Sequence, residues 1–265
     1  MKDAQDVPVK SGPRIREVPA VTRAFAILRL LGRGGDPMPL KTIADQLGMV
    51  TSTCLHILRA LVSEGLVKVD AASKRYSLDV GMLTLARSVI ESNPFPALAQ
   101  PVLDRLSHAA NVTAIGVEIT GQDHMVVLAL SRSHAPFRLH VDVGSRFPAL
   151  ISATGRLVAA YTTSMDDAEI ERRFRALRWD QPPDIAAWRK DVELVRKKGY
   201  SIDRGNYIDG VTVVAVPVFN GQRSLSYALV AAGLSNQLTA TRAQALAKDL
   251  QNEAQTLSAL LSTRA

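Results

Sequence analysis

Ser52, His56, Arg59 and Ser63 are spaced four, three and four residues apart, which puts them on one face of a helix. Hydroxyl, imidazole and guanidinium groups in such a row can exchange hydrogen bonds with base edges in a DNA major groove. The other face carries Cys54, Ile57, Leu58 and Leu61, an apolar stripe that would fix the helix to a core. Thr51 offers an N-cap hydroxyl at its start. The expected DNA-reading set is therefore Thr51, Ser52, Thr53, His56 and Arg59, with Lys74 and Arg75 beside it.

Such a helix needs a frame, and the flanking sequence supplies one. Leu40, Ile43, Ala44 and Leu47 repeat at helical spacing, and Gly48 closes that first helix. The second helix is expected from Thr51 to about Glu64. Val67 and Val69 then lead into the small polar turn Asp70 to Ser73, followed by Lys74, Arg75, Tyr76 and Leu78. Alternation on both sides of the turn predicts two antiparallel strands, a wing whose two cations can meet phosphates or the minor groove. An upstream amphipathic helix from about Pro19 to Leu31 would complete the core. A plain helical bundle with a solvated basic turn is the competing reading. Turn, second helix and wing in this order favour a winged helix-turn-helix.

Bulk properties narrow the function only a little. The 265 residues suffice for one large domain or two smaller ones. A net charge of +7 suits a polyanionic partner. The cationic surplus is four in the first 91 residues and three in the rest, so geometry carries the argument rather than bulk charge. The single cysteine, Cys54, excludes an internal disulfide and a cysteine-rich zinc site, and suits a reducing cytoplasm. No run is apolar enough to span a bilayer, and the N-terminus lacks a hydrophobic signal core. No nucleophile elbow, HExxH pair, phosphate loop or GxGxxG fingerprint is present, and the five histidines show no close metal-ligand pair. The expectation is a non-enzyme without cofactor or metal. An enzyme remains a lesser alternative.

Residues 1–18 read as a disordered leader broken by prolines, and residues 19–79 as the DNA-binding domain. Residues 80–93 read as a linker helix stopped by Pro94 and Pro96. Residues 94–265 alternate helix and strand. Helices are expected at Leu98–Ala110, Ser152–Tyr161, Asp166–Ala176, Ile185–Lys198 and Thr239–Leu261. Strands are expected at Val112–Thr120, His124–Ser131, Arg138–Val143, Val211–Phe219 and Leu225–Ala232, with a loop at Gly144–Ala149. Hairpins with helices around them predict an α+β sensor-type domain.

These residues resemble the IclR family of bacterial transcription regulators. The likeness spans nearly the whole chain after the leader, through AVTRAFAILRLL, LKTIADQLGM, STCLHILRALVSEGLV and KRYSLDVGMLTLA. In the second half it lies in VGSRFPALISATGRLVAAY and GYSIDRGNYIDGVTVVAVPVFN. The resemblance implies a winged helix-turn-helix, a linker helix and a GAF-like effector domain, assembled as dimers or tetramers and responsive to small metabolites, often carboxylic acids. The expected partners are thus a partly palindromic double-stranded operator, a small carboxylate effector and further copies of the chain, with no membrane. This chain departs from the family pattern at several positions. Val50 and Thr51 replace a Pro-Lys pair and His56 replaces a frequent Arg. Asn206 replaces a Glu, Val213 a small or polar residue, and Leu150 a frequent His. These changes predict a more apolar pocket than usual, or a sensor domain that serves only as a structural platform.

The loop before the Ser152 helix could bind a carboxylate on free backbone N–H groups of Ser152, Ala153, Thr154 and Gly155. Equally, Ser152 could merely cap the helix and Gly155 merely allow tight packing; the resemblance favours the site. Asp203 and Asp209 flank a strand expected on the far side of the pocket, and with Asn206 and Val213 complete the expected effector set. Turn-holding is the commoner role for such aspartates. Arg132 and Arg138 could pair an acid, although solvated strand-end arginines are commoner.

Overall fold

The computed structural model describes residues 18–121, 123–132, 141–162 and 165–263. The chain divides into two compact units, residues 1–92 and 93–265. Among the described residues, no helix is long and apolar enough to cross a membrane.

The first unit begins with helix α1 (Pro19–Gly34), which runs past the expected end at Leu31 and is capped by Gly35 in a left-handed conformation. A two-residue strand, β1 (Met38–Pro39), precedes α2 (Leu40–Gln46) and α3 (Thr51–Ser63). The wing is β2 (Val67–Val69) and β3 (Arg75–Leu78), with β1 pairing on the free edge of β3. Ile27, Leu31, Ile43, Cys54, Leu58 and Val67 form the core. The expected Thr51 cap does not form: Val50 is the cap residue, its extended backbone accepts from Cys54 N–H at 3.0 Å, and no side chain caps the helix. The helix begins one residue earlier in register than a threonine cap requires. Helix α4 (Gly81–Ser92) follows the wing. A Cβ on Gly81 would stand 2.2 Å from the Gly65 carbonyl oxygen, so only glycine lets the start of α4 approach the turn after α3 this closely.

The second unit opens with α5 (Phe95–Ala110). Helix α4 ends at Ser92, before Pro94 and Pro96 as expected, and the same prolines start α5, because proline suits the first turn, where its missing N–H costs nothing. A six-stranded antiparallel sheet follows, in spatial order β6-β5-β4-β9-β8-β7. Its strands are β4 (Thr113–Thr120), β5 (His124–Leu130), β6 (Arg146–Pro148), β7 (Ser201–Arg204), β8 (Val211–Phe219) and β9 (Leu225–Leu234). Between them lie α6 (Ser152–Tyr161), α7 (Asp167–Arg175) and α8 (Ile185–Lys198), and α9 (Ala240–Ser262) closes the chain.

Strand β6 corrects the loop expected at 144–149, and β7 was not foreseen; both are short edge strands without apolar alternation. The strand expected at Arg138–Val143 falls partly on residues outside those described, and 141–143 are not strand. The leader expected at 1–18 lies, but for Val18, outside them as well. Both faces of the sheet are covered. Val214, Val216 and Val218 pack toward α5 and α9, while Val211, Val213 and Ala215 pack with Ile151, Leu157 and Val195 of the α6 and α8 layer. A strand buried on both faces reads as one continuous apolar run, as β8 does.

Candidate functional site

The first unit presents a polar face on α3. Thr51, Ser52, His56, Arg59 and Ser63 are exposed and Thr53 is half-buried. Cys54 and Leu58, on the opposite side, are fully buried. Burial pushes the Cys54 thiol above its ordinary pKa, so it packs as a neutral apolar group. In the wing, the Asp70 carboxylate accepts from the Ser73 hydroxyl at 2.7 Å and from its backbone N–H at 2.6 Å, which holds its pKa below the usual range. That turn leaves Lys74 exposed with a left-handed backbone, φ 53°. Arg75 is placed differently. Its Nη1 donates to the Pro37 carbonyl at 3.0 Å, so its guanidinium braces the strand edge. Val50, 71% exposed at the head of α3, adds an apolar group to the same end.

In the second unit, a cavity of about 250 Å³ opens between the sheet and α6. Ile115 and Val117 of β4, Met125 and Val127 of β5, and Val213, Val230 and Ala232 of β8 and β9 form its walls. Val141, Phe147, Ile151, Tyr207 and Ile208 close it, and burial, then the charge of Asp180, raises the Tyr207 phenol pKa. Its polar lining residues are Ser152 and Thr154, at the start of α6, and Tyr207. Ser152 is 5% exposed with φ 57°, and its Oγ is buried without a hydrogen-bond partner. Gly155 N–H donates to the Ile151 carbonyl at 2.8 Å. The N–H groups of Ser152, Ala153 and Thr154 precede that bond and have no partner within the helix. A second hollow of about 290 Å³, between β8 and α9, is lined by none of the unpartnered buried polar groups found among the described residues.

The structure distributes the expected effector residues between two places. Ser152, Thr154 and Val213 line the cavity. Ala153 is buried in the core beside it. Gly155 serves packing: a Cβ there would stand 2.0 Å from the Leu150 carbonyl carbon and oxygen. Asp203, Asn206 and Asp209 lie off the cavity wall, in a network that the sequence reading missed. Its hub is Arg156, 2% exposed. Arg156 Nε donates to Asp191 at 3.1 Å, Nη1 to the Ser152 carbonyl at 3.1 Å, and Nη2 to Asn206 Oδ1 at 3.0 Å. The Asp203 carboxylate stands 3.8 Å from Nη1 and also accepts from Asn206 N–H. Asp209 accepts from Gln181 at 2.8 Å and holds the same loop. One arginine thus ties the start of α6 to the loop bearing Tyr207 and Ile208. Its signal was a lone cation inside the otherwise apolar SATGRLVAAY. Arg132 donates its backbone N–H to Asp104, and Arg138 lies outside the described residues. No metal-holding group of three or more His, Cys, Asp or Glu exists among the described residues.

Two family models match this chain. The IclR helix-turn-helix domain covers residues 20–71, and the bacterial transcriptional regulator IclR C-terminal domain covers residues 87–259. The chain belongs to the IclR family. It is 28% identical over 208 residues to a glycerol operon regulatory protein of Streptomyces griseus, covering 78% of this chain and 82% of that one. It is 22% identical to the transcriptional repressor AllR of Escherichia coli over 249 residues, 93% and 91% of the two chains. The crystal structure of an IclR regulator from Alicyclobacillus acidocaldarius matches with a TM-score of 0.78 and 29% identity, over 92% of this chain and 99% of that one. This IclR-family protein is a DNA-binding transcriptional regulator, and its relatives are regulators rather than enzymes. Within the family frame, Asn206 brings no charge to Arg156, whose balance comes instead from Asp191 and Asp203.

Proposed function

We propose that this regulator binds a specific operator through Thr51, Ser52, Thr53, His56 and Arg59 of α3, with Lys74 and Arg75 of the wing. We further propose that a small organic or aromatic carboxylic acid in the cavity beside α6 modulates that affinity. The observation that carries the effector reading is the buried Ser152 Oγ without a partner, beside the open first turn of α6. A buried hydroxyl left unsatisfied costs stability, and the first-turn amides beside it lack helical partners, so this end of the cavity favours an anion. The names of the relatives, a glycerol operon regulator and the repressor AllR, support metabolite control as a general reading.

A ligand acts only by binding two arrangements of the protein unequally, and a coupling of about 1–3 kcal/mol would change operator affinity roughly 5- to 150-fold. The proposed partition is a DNA-binding domain at 19–79, a linker at 80–93 and an effector domain at 94–265. Self-association is supported by the exposed apolar residues of α4, Leu83, Leu85, Val89 and Ile90, all above 60% exposure. Paired reading heads would favour a palindromic operator, bound in the cytoplasm.

The test is selection of operator DNA from fragmented genome, followed by anisotropy titration with and without carboxylic acids. Arg59→Ala should weaken operator binding by about 1–3 kcal/mol and relax specificity at one position. Unchanged binding would reject the α3 assignment. An effector at 100 times its Kd should stabilise the protein by about 2.7 kcal/mol. No thermal response across a broad acid panel would instead favour the ligand-free platform, a reading that the apolar walls keep in view.

A further inference from the structure

Val50 stands at the head of α3 with 71% of its surface exposed, and among the described large apolar side chains only Val80 is more exposed. A single exposed valine is ordinary on a protein surface, so its position must give it meaning. Helices α2 and α3 expose no other large apolar side chain. Met49, one residue before, packs against the core of the first unit, while Thr51 and Ser52, directly after, are exposed with Val50. The backbone around it is fixed. Met49 N–H donates to the Ala44 carbonyl at 2.9 Å, and the Val50 carbonyl accepts from Cys54 N–H at 3.0 Å. The branched Cβ of valine restricts χ1 as well. Two methyl groups are thus held rigidly at the end of the helix where helix-turn-helix proteins meet base edges.

The chemistry of the groove narrows what those methyl groups can meet. A major groove presents hydrogen-bond donors, acceptors and one apolar group, the C5-methyl of thymine. Residues 51–58 contain no Lys or Arg, so the first two turns of α3 cannot form the paired contact of a cation with guanine. Set against cytosine, valine would cover the N4 amino group without replacing its hydrogen bond to water. Set against thymine, methyl meets methyl, and the Thr51 and Ser52 hydroxyls can donate or accept at the polar atoms alongside. Arg59 lies nine residues further on, roughly 13 Å along the helix axis, and so addresses a different base pair.

We propose that Val50 is a specificity-determining residue that reads the C5-methyl group of one thymine in each operator half-site. The inference rests on α3 as the reading element and names the base feature met at its head.

Operator recovered from fragmented genomic DNA, resynthesised with each thymine replaced in turn by deoxyuridine, tests this in anisotropy titrations of the full chain. Deoxyuridine lacks only the methyl group and keeps every hydrogen-bonding edge. One thymine per half-site should be sensitive, with a loss of about fourfold, the worth of one buried methyl group. Val50→Ala should bind the thymine operator about fourfold more weakly and no longer distinguish deoxyuridine at that position, the non-additivity assigning the contact. Its melting temperature should match the parent's, because an exposed side chain leaves no cavity. A parent insensitive to every replacement, or a Val50→Ala variant that keeps the discrimination, would overturn the inference; weakened binding by Arg59→Ala would then still leave α3 as the reading element. Parent-like binding by both variants would overturn the inference and the α3 reading together. A Val50→Ala variant that loses affinity for all DNA alike and sediments differently would mark Val50 as a contact between copies and overturn the inference.

Discussion

Replacing Gly155 with alanine tests whether the start of α6 is held by close packing. The added Cβ would lie 2.0 Å from the carbonyl carbon and oxygen of Leu150, where ordinary contact begins near 3.4 Å. The obstacle is backbone and cannot rotate aside, so α6 or the 149–151 segment must move by roughly 1.4 Å. Overpacking of this kind costs up to about 3 kcal/mol. Alanine returns about 1 kcal/mol of helix propensity over glycine. The expected net loss is about 2 kcal/mol, or about 4–8 °C in Tm for a unit of this size. Thermal melts followed by tryptophan fluorescence suit the measurement, because Trp179 and Trp188 are the chain's two tryptophans and both lie in the second unit. Trp188 is 1% exposed and packs against Phe174, so unfolding will change its emission. A variant that melts at or above the parent temperature would show that propensity outweighs the contact, and the close-packing argument would fail.

Arg156→Met should destabilise the second unit by about 3–5 kcal/mol, because it leaves Asp203 buried beside no cation; a loss below 1 kcal/mol in urea melts would refute the hub role. Lys74→Ala should weaken all DNA sequences alike and reduce the salt slope by about one ion, read from binding between low and high salt; an unchanged slope would remove Lys74 from the interface. Glu169 accepts from Arg172 and Arg173, which lowers its carboxyl pKa to about 2 from 4.5. Its folded pKa is depressed, so its contribution is complete above pH 4.5 and is lost as pH falls toward 2. Glu169→Gln should therefore flatten the acid limb of the stability curve in that window; an acid limb identical to the parent's would refute the assignment.

Much of this architecture could be read from residue order because local and global signals agreed. The apolar face of α3 and the alternation of β2 and β3 each mark an element by its own period. Strands β8 and β9 were visible as apolar runs around Asn220 and Gly221. The edge strands β6 and β7 were not, since three or four residues with one apolar side chain carry no period. The cavity was half legible. Ser152 and Thr154 stood out through their place at a helix start, and Val213 through its departure from the family pattern. The walls on β4 and β5 did not, because a pocket-facing valine and a core valine are the same residue type, and only long-range register separates them. Arg156 escaped notice because its partners lie 35, 47 and 50 positions along the chain.

Cys54 has a practical consequence. The chain's one thiol sits at 0% exposure in the core of the first unit, behind the polar face of α3. A thiol-specific reagent can reach it only when that small core opens. The labelling rate in a large excess of reagent thus becomes a clock for local opening of the reading head alone, blind to events in the larger unit. Saturating the protein with operator should slow that clock in proportion to occupancy. One unmodified native residue can then report how DNA stabilises the part of the molecule that holds it.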